Sequence, residues 1–192
     1  MSTKLVKLLQ SGLTVFNLDD LGIIWGQKDR SATRQSARDY AAHGSLIRLR
    51  QGIYALPDVQ IDTNALANKL LVPSYVTGLT VLTSAGLSHQ FTLTVSSVAA
   101  YNKTYEVQGK TFAYSQIKTP VLYNQLGLDI TRTTSVATVE RAVTDLIYLS
   151  KGLYPFETLD GIDWYLLESY AKIYESTLVL RAVAALREQY AQ

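Results

Sequence analysis

Cysteine is missing from all 192 residues, which excludes disulfides, thiolate metal ligands and thiol nucleophiles. Histidine is almost as scarce. His43 and His89 are the only two, distant in sequence and without neighbouring ligands, so neither a metal site nor a catalytic triad is expected. No Gly-rich phosphate loop occurs. No stretch approaches the roughly 20 apolar residues that a bilayer span needs, and residues 1–10 carry Lys4 and Lys7 in a broken apolar pattern. A cytoplasmic protein is expected, not an enzyme, with no catalytic residues, cofactor, metal or membrane association. Charged residues make up only 18% of the chain, below the roughly 25% usual for soluble domains, which hints at surface covered by a partner or a second copy.

What charge there is lies unevenly. Residues 1–56 hold eight basic side chains (Lys4, Lys7, Lys28, Arg30, Arg34, Arg38, Arg48, Arg50) against four acidic ones (Asp19, Asp20, Asp29, Asp39). The remainder has ten basic and twelve acidic residues. The basic footprint therefore belongs to the first third of a chain whose net charge is only +2.

That third reads as three helices and a hairpin. Leu5, Leu8 and Leu9 give residues 3–10 one apolar stripe, with Gly12 suited to end it. Asn17 is a helix cap with Asp19 and Asp20 in the first turn, and Leu18, Leu21, Ile24 and Trp25 form the buried face. After a turn at residues 26–28, Ser31 is the expected cap of a third helix running to Ala42 and stopping near His43 and Gly44, with Ala37, Tyr40 and Ala41 inward. Residues 45–49 and 53–56 read as strands joined at Gln51-Gly52.

A helix that enters the major groove needs long donors on its outer face, and Arg34 and Arg38 lie one turn apart there, with Lys28, Arg30, Thr33 and Gln35 beside them. A wing needs a basic tip to reach phosphate or the minor groove, and Arg48, Arg50 and Gln51 supply one. Arginines on a helix are more often a solvated face, here partly neutralised by Asp29 and Asp39. The basic hairpin directly after the helix tips the balance toward double-stranded DNA. The expected DNA-binding residues are thus Lys28, Arg30, Thr33, Arg34, Gln35, Arg38, Arg48, Arg50 and Gln51, in a winged helix-turn-helix domain over residues 1–57.

Pro57 and Asp58 mark the expected boundary, and residues 58–192 are expected to form a mixed α/β domain, making the whole α+β. Helices are expected over residues 64–72 and 77–87, β structure over 91–117 with a turn at 108–110, a helix over 138–149, and two terminal helices over 164–174 and 176–190.

Residues 15–21 (Val-Phe-Asn-Leu-Asp-Asp-Leu) and 44–56 (Gly-Ser-Leu-Ile-Arg-Leu-Arg-Gln-Gly-Ile-Tyr-Ala-Leu) resemble the winged helix-turn-helix of AbiEi-family bacterial antitoxins, whose wing ends in a Gly-(Ile/Val)-Tyr element. Residues 74–80 and 85–87 are similar to the segment opening that family's C-terminal domain, and residues 112–117 to a strand within it. The nearest likeness is Ala137-Thr138-Val139-Glu140-Arg141-Ala142-Val143-Thr144-Asp145-Leu146-Ile147-Tyr148-Leu149, which looks like the family's Glu-Arg-Ala helix, with Val139 where the family often has proline. The resemblance covers the chain to about Gly152 and is weaker after Tyr154.

It implies an antitoxin of a type IV toxin-antitoxin, or abortive-infection, module that represses its own operon at inverted repeats, with two copies on palindromic DNA. It also implies a C-terminal antitoxin domain and a cognate toxin resembling nucleotidyltransferases, held in no stable complex.

Other chemistries are weaker. Glu106-Val107-Gln108 faintly resembles a nuclease metal strand, but Gln108 stands where a lysine is needed and no convincing acidic partner precedes it. Glu140, Arg141 and Asp145 form a second candidate cluster, read as a helix-dipole contact and an i, i+4 pair on the less apolar side of their helix. Of thirteen tyrosines, most are expected to pack in the core, and some of Tyr165, Tyr170 and Tyr174 to cover a dimer or partner interface. The alternatives are a winged helix that docks a protein instead of DNA, or a DNA-binding regulator without antitoxin activity.

Overall fold

A computed structural model of the chain describes residues 3–90 and 92–190. Phe91, taken above as the start of the β-rich stretch, lies outside the described residues. The fold is α+β, and its contacts cluster into two compact units, one ending at Leu70 and the other beginning at Leu71. Among the described residues no helix is long and apolar enough to cross a membrane.

The first unit runs α1 (Thr3–Gln10), β1 (Val15–Asn17), α2 (Leu18–Trp25), α3 (Arg30–Ala42), β2 (Ile47–Arg50), β3 (Ile53–Ala55) and α4 (Thr63–Leu70). The three strands form an antiparallel sheet in the order β1-β3-β2. Leu8, Phe16, Leu21, Trp25, Ala37, Leu46 and Tyr54 fill the core beneath it. Strand β1 was not expected. It exists because Val15 and Phe16 pair with Ala55 and Tyr54, 40 and 38 residues on, a partnership that no local pattern announces.

The start of α2 is fixed by a reciprocal cap: Asn17 Oδ1 accepts from the Asp20 N–H, and the Asn17 N–H donates to Asp20 Oδ2, each at 2.8 Å. Gly26, at φ 69°, ends the helix in the left-handed conformation that glycine tolerates. Helix α3 is capped two residues earlier than expected. Asp29 Oδ1 accepts from the Ser31 N–H at 2.8 Å, and the Ser31 hydroxyl itself donates to the same carboxylate, so Ser31 lies inside the helix and the acid is the cap. An ionised carboxylate is the stronger acceptor for an unpaired helix N–H.

Pro57 lies inside the first unit. Helix α4, beyond it, is tied back by the Asp62 N–H donating to Thr14 Oγ1 at 3.0 Å and by Lys69 Nζ against Asp20 Oδ2 at 2.6 Å.

The second unit runs β4 (Ser74–Val76), α5 (Leu79–Ser84), β5 (Thr94–Ala99), β6 (Lys103–Val107), β7 (Lys110–Gln116), α6 (Thr119–Leu122), β8 (Leu128–Ile130), β9 (Ser135–Ala137), α7 (Val139–Leu149), α8 (Trp164–Ala171), a single 3-10 turn (Lys172–Tyr174) and α9 (Thr177–Tyr190). Its sheet is mixed, in the order β6-β7-β5-β4-β9-β8, with β4/β9 and β5/β7 parallel and the other neighbours antiparallel. The turn expected at 108–110 is present, with Gln108 and Gly109 both at positive φ. Helix α7 is the axis of this unit, touching α5, α8, α9 and β9.

Candidate nucleic-acid interface

The site is built on α3 and the β2–β3 hairpin. Helix α3 turns Ala37 fully inward and half-buries Tyr40 and Ala41, with the Tyr40 ring 5.6 Å from that of Trp25. Fixing that face leaves Arg34 and Arg38 exposed on the other. The hairpin turns back at Gln51-Gly52, where Gly52 has φ 77°, and its register shifts between Arg48 and Arg50. A bulge of this kind re-aims side chains at a sheet edge.

The two elements enclose one open groove of about 520 Å³. Arg30, Arg34 and Arg38 line one wall, Arg48, Arg50 and Gln51 another, with Asn17, Asp19 and Lys69 completing the rim. Guanidinium groups gathered along one concave surface favour an anion, because a planar fork can hold a phosphate with two parallel hydrogen bonds.

Of the nine expected residues, Arg30, Arg34, Arg38, Arg48, Arg50 and Gln51 come together here. Arg30 is shared with Asp19, Nη1 to Oδ1 3.2 Å, both side chains well exposed. Three others do not join. Thr33 is only 1% exposed, its hydroxyl donating to the Asp29 carbonyl at 2.9 Å; it packs on the inner face of α3, where a small hydroxyl satisfied by the preceding turn fits. Lys28 lies instead by a smaller depression with Gly22, Ile23 and Gln27. Gln35 is exposed and tied along its own helix, Nε2 to Asp39 Oδ1 2.8 Å.

Lys69 was not anticipated. Its partner Asp20 lies 49 positions away, and no local signal connects them, although the Asn17–Asp20 capping pattern that positions the carboxylate was readable.

The second candidate cluster lies sealed inside the second unit. Arg141 and Asp145 were expected on the less apolar side of their helix; both are 0% exposed, because α7 is covered on almost every side. Arg141 Nη1 donates to the Leu126 carbonyl at 2.8 Å, and Nη2 donates to the Val121 carbonyl at 2.8 Å and the Tyr75 hydroxyl at 3.1 Å. The Asp145 carboxylate accepts from the hydroxyls of Thr77 at 2.6 Å, Tyr75 at 3.0 Å and Tyr174. Burial pushes the Asp145 carboxyl above the ordinary carboxylate range, against the pull of Arg141 and the three hydroxyl donors. The same burial raises the Tyr75 and Tyr174 phenols, and Asp145 adds to it. With no solvent path to it, this network holds α7 to β4, α6 and the 3-10 turn; it is architecture.

Tyr174 and Tyr170 thus belong to the core, at 0% and 9% exposure, and only Tyr165, at 79%, is available to a partner. Glu106 is an exposed hairpin residue whose carboxylate accepts from the Thr111 hydroxyl at 2.7 Å, and His43 Nδ1 lies 2.7 Å from the Asp39 carbonyl on its own helix. No protein-family model matches the chain, and no curated protein matches it.

Proposed function

We propose that the chain is a DNA-binding regulator whose first unit acts as a winged helix-turn-helix: α3 enters the major groove, and the β2–β3 hairpin reaches the adjoining backbone or minor groove. One observation carries this reading, the convergence of Arg34 and Arg38 from α3 with Arg48, Arg50 and Gln51 from the hairpin on one groove. Phosphate neutralisation by such a set supplies affinity, and donors at the exposed helix face supply base discrimination.

The likeness of residues 137–149 and of the Gly52-Ile53-Tyr54 wing to AbiEi antitoxins extends the proposal. The chain would repress its own operon at inverted repeats in the cytoplasm, without catalysis of its own, and neutralise a toxin resembling nucleotidyltransferases through its second unit.

The test is a mobility-shift titration on the DNA upstream of the chain's own gene. Replacing both Arg34 and Arg38 with alanine abolishes the shift while circular dichroism stays native. In the native chain, about five phosphate contacts give a slope of log affinity against log salt near −4 to −5. A flat salt response favours the protein-docking alternative instead. A nucleotidyltransferase-like reading frame next to this gene supports the antitoxin part, and its absence leaves a DNA-binding regulator.

A further inference from the structure

The last helix presents a face that nothing in its own unit covers. Val179 and Val183 of α9 are 0% and 2% exposed, and Ala182, Leu186 and Tyr190 pack beside them on the core. At 3.6 residues per turn this fixes the opposite side as Thr177, Arg181, Ala184, Ala185 and Glu188, and all five are exposed. Leu178 and Leu180, 43% and 42% exposed, flank that face.

The two charges at its centre are the informative part. Arg181 and Glu188 are seven residues apart, about 10.5 Å along the axis, too far to pair with each other. The neighbours one turn away on this face are Thr177, Ala184 and Ala185, none of them charged. Arg187, close by in sequence, is already committed to Glu168 on α8 at 2.5 Å. A cation and an anion set symmetrically about two alanines make a face complementary to itself in one orientation. Turned antiparallel about a two-fold axis through Ala184 and Ala185, each Arg181 meets the other copy's Glu188. A parallel arrangement would set like charge on like.

We propose that this face of α9 is a self-association surface, on which two copies of the chain pack antiparallel with Arg181 of each facing Glu188 of the other. The contact is isologous, as two-fold interfaces are, and it also opposes the two helix dipoles favourably. The alanines allow close approach of the helix axes, to about 8 Å. Leu178 and Leu180 supply apolar margin, extended by Leu153, 83% exposed and next to Gly152, which lies against Leu178 and Ala182. One helix of 14 residues is about 21 Å long and covers less than the roughly 1,200 Å² of a standard interface, so the dimer is a reversible one. Exposed ion pairs add little strength; here they choose the register. The inference does not depend on the DNA reading.

Sedimentation equilibrium of the full chain over a range of concentrations tests it. The native chain shows reversible monomer–dimer exchange. Arg181→Glu alone, or Glu188→Arg alone, turns both attractive contacts into repulsive ones and raises the dissociation constant about tenfold or more. Arg181→Glu with Glu188→Arg together restores it to within about threefold of native. Both positions are exposed, so far-UV circular dichroism stays native in all three variants. A chain that remains monomeric at every concentration overturns the proposal, as does a dimer indifferent to the single reversals or not rescued by the double one.

Discussion

Arg141 and Asp145 stand one turn apart on α7, their side chains wholly buried, with Nε 3.7 Å from Oδ1. Their ion pair is completed by carbonyls and hydroxyls from segments far apart in sequence that share one core: Tyr75, Val121, Leu126 and Tyr174. Arg141 also lies over the Tyr75 and Tyr174 rings, 5.4 and 5.6 Å from their centroids. Removing one member leaves the other charge without its partner in a medium that penalises it.

Asp145→Ala therefore destabilises the second unit by about 3–5 kcal/mol in urea unfolding, the usual cost of an orphaned buried charge. Replacing Arg141 and Asp145 together by apolar residues costs clearly less than the sum of the two single changes. A single change below about 1 kcal/mol would show that the pair is not sealed.

The phenols of Tyr75 and Tyr174 follow from the same burial. Their folded pKa values are raised, so between the unfolded value near 10 and the folded one the unfolded chain binds fewer protons. Stability is then intact below about pH 10 and falls as pH rises above it. In an alkaline titration followed by tyrosinate absorbance, these two protons leave only together with unfolding. Their early, independent release would contradict the network.

Gly127 has φ 73°, and a Cβ there would come within 2.7 Å of the Tyr170 ring and 2.9 Å of Arg141 Cβ. Gly127→Ala combines a strained backbone with overpacking, and costs about 2–4 kcal/mol by thermal or urea unfolding. Gly109, where nothing lies within 4 Å, is the control that isolates the backbone part.

In the proposed DNA complex, alanine at Arg48 or Arg50 weakens binding about uniformly across sequences and lowers the salt slope by about one unit each. Alanine at Lys28 or Gln35, which lie outside the groove lining, leaves the slope unchanged. A larger loss at Lys28 than at Arg48 in the same titration would move the site to the other side of α3.

The Asp29 carboxyl is held below its ordinary value by the Ser31 N–H and hydroxyl. A depressed carboxylate contributes stability that is present above its unfolded pKa and lost as pH falls through the folded one. Asp29→Asn removes that acid dependence from α3, which NMR titration of the Ser31 amide reads directly; an unchanged titration would show that the cap is not electrostatic.

Much of this was legible in the chain. The periods of α2, α3, α7 and α9, the Asn17 cap and the turns at Gly52 and Gly109 are local patterns, set by residues within a few positions of one another. So is the clustering of arginine in the first third, and six of the nine residues expected to bind DNA line one groove. The misses share one cause. Thr33 read as lying beside the outer arginines, Arg141 and Asp145 as on the less apolar side of α7, though rightly as an i, i+4 pair, and Tyr174 as one of three interface candidates, because a polar side chain announces a need for partners without saying where they are.

The composition and spacing of this chain alone settled the apolar periods of its longer helices, the Asn17 cap, and that its positive charge sits near the start, since these depend on propensity, capping and counting. Only the folded chain decided that Val15 and Phe16 form a strand, that Lys69 meets Asp20, and that five distant groups close around one buried ion pair. Those outcomes come from contacts between residues tens of positions apart, whose free energy exists only once the chain has brought them together.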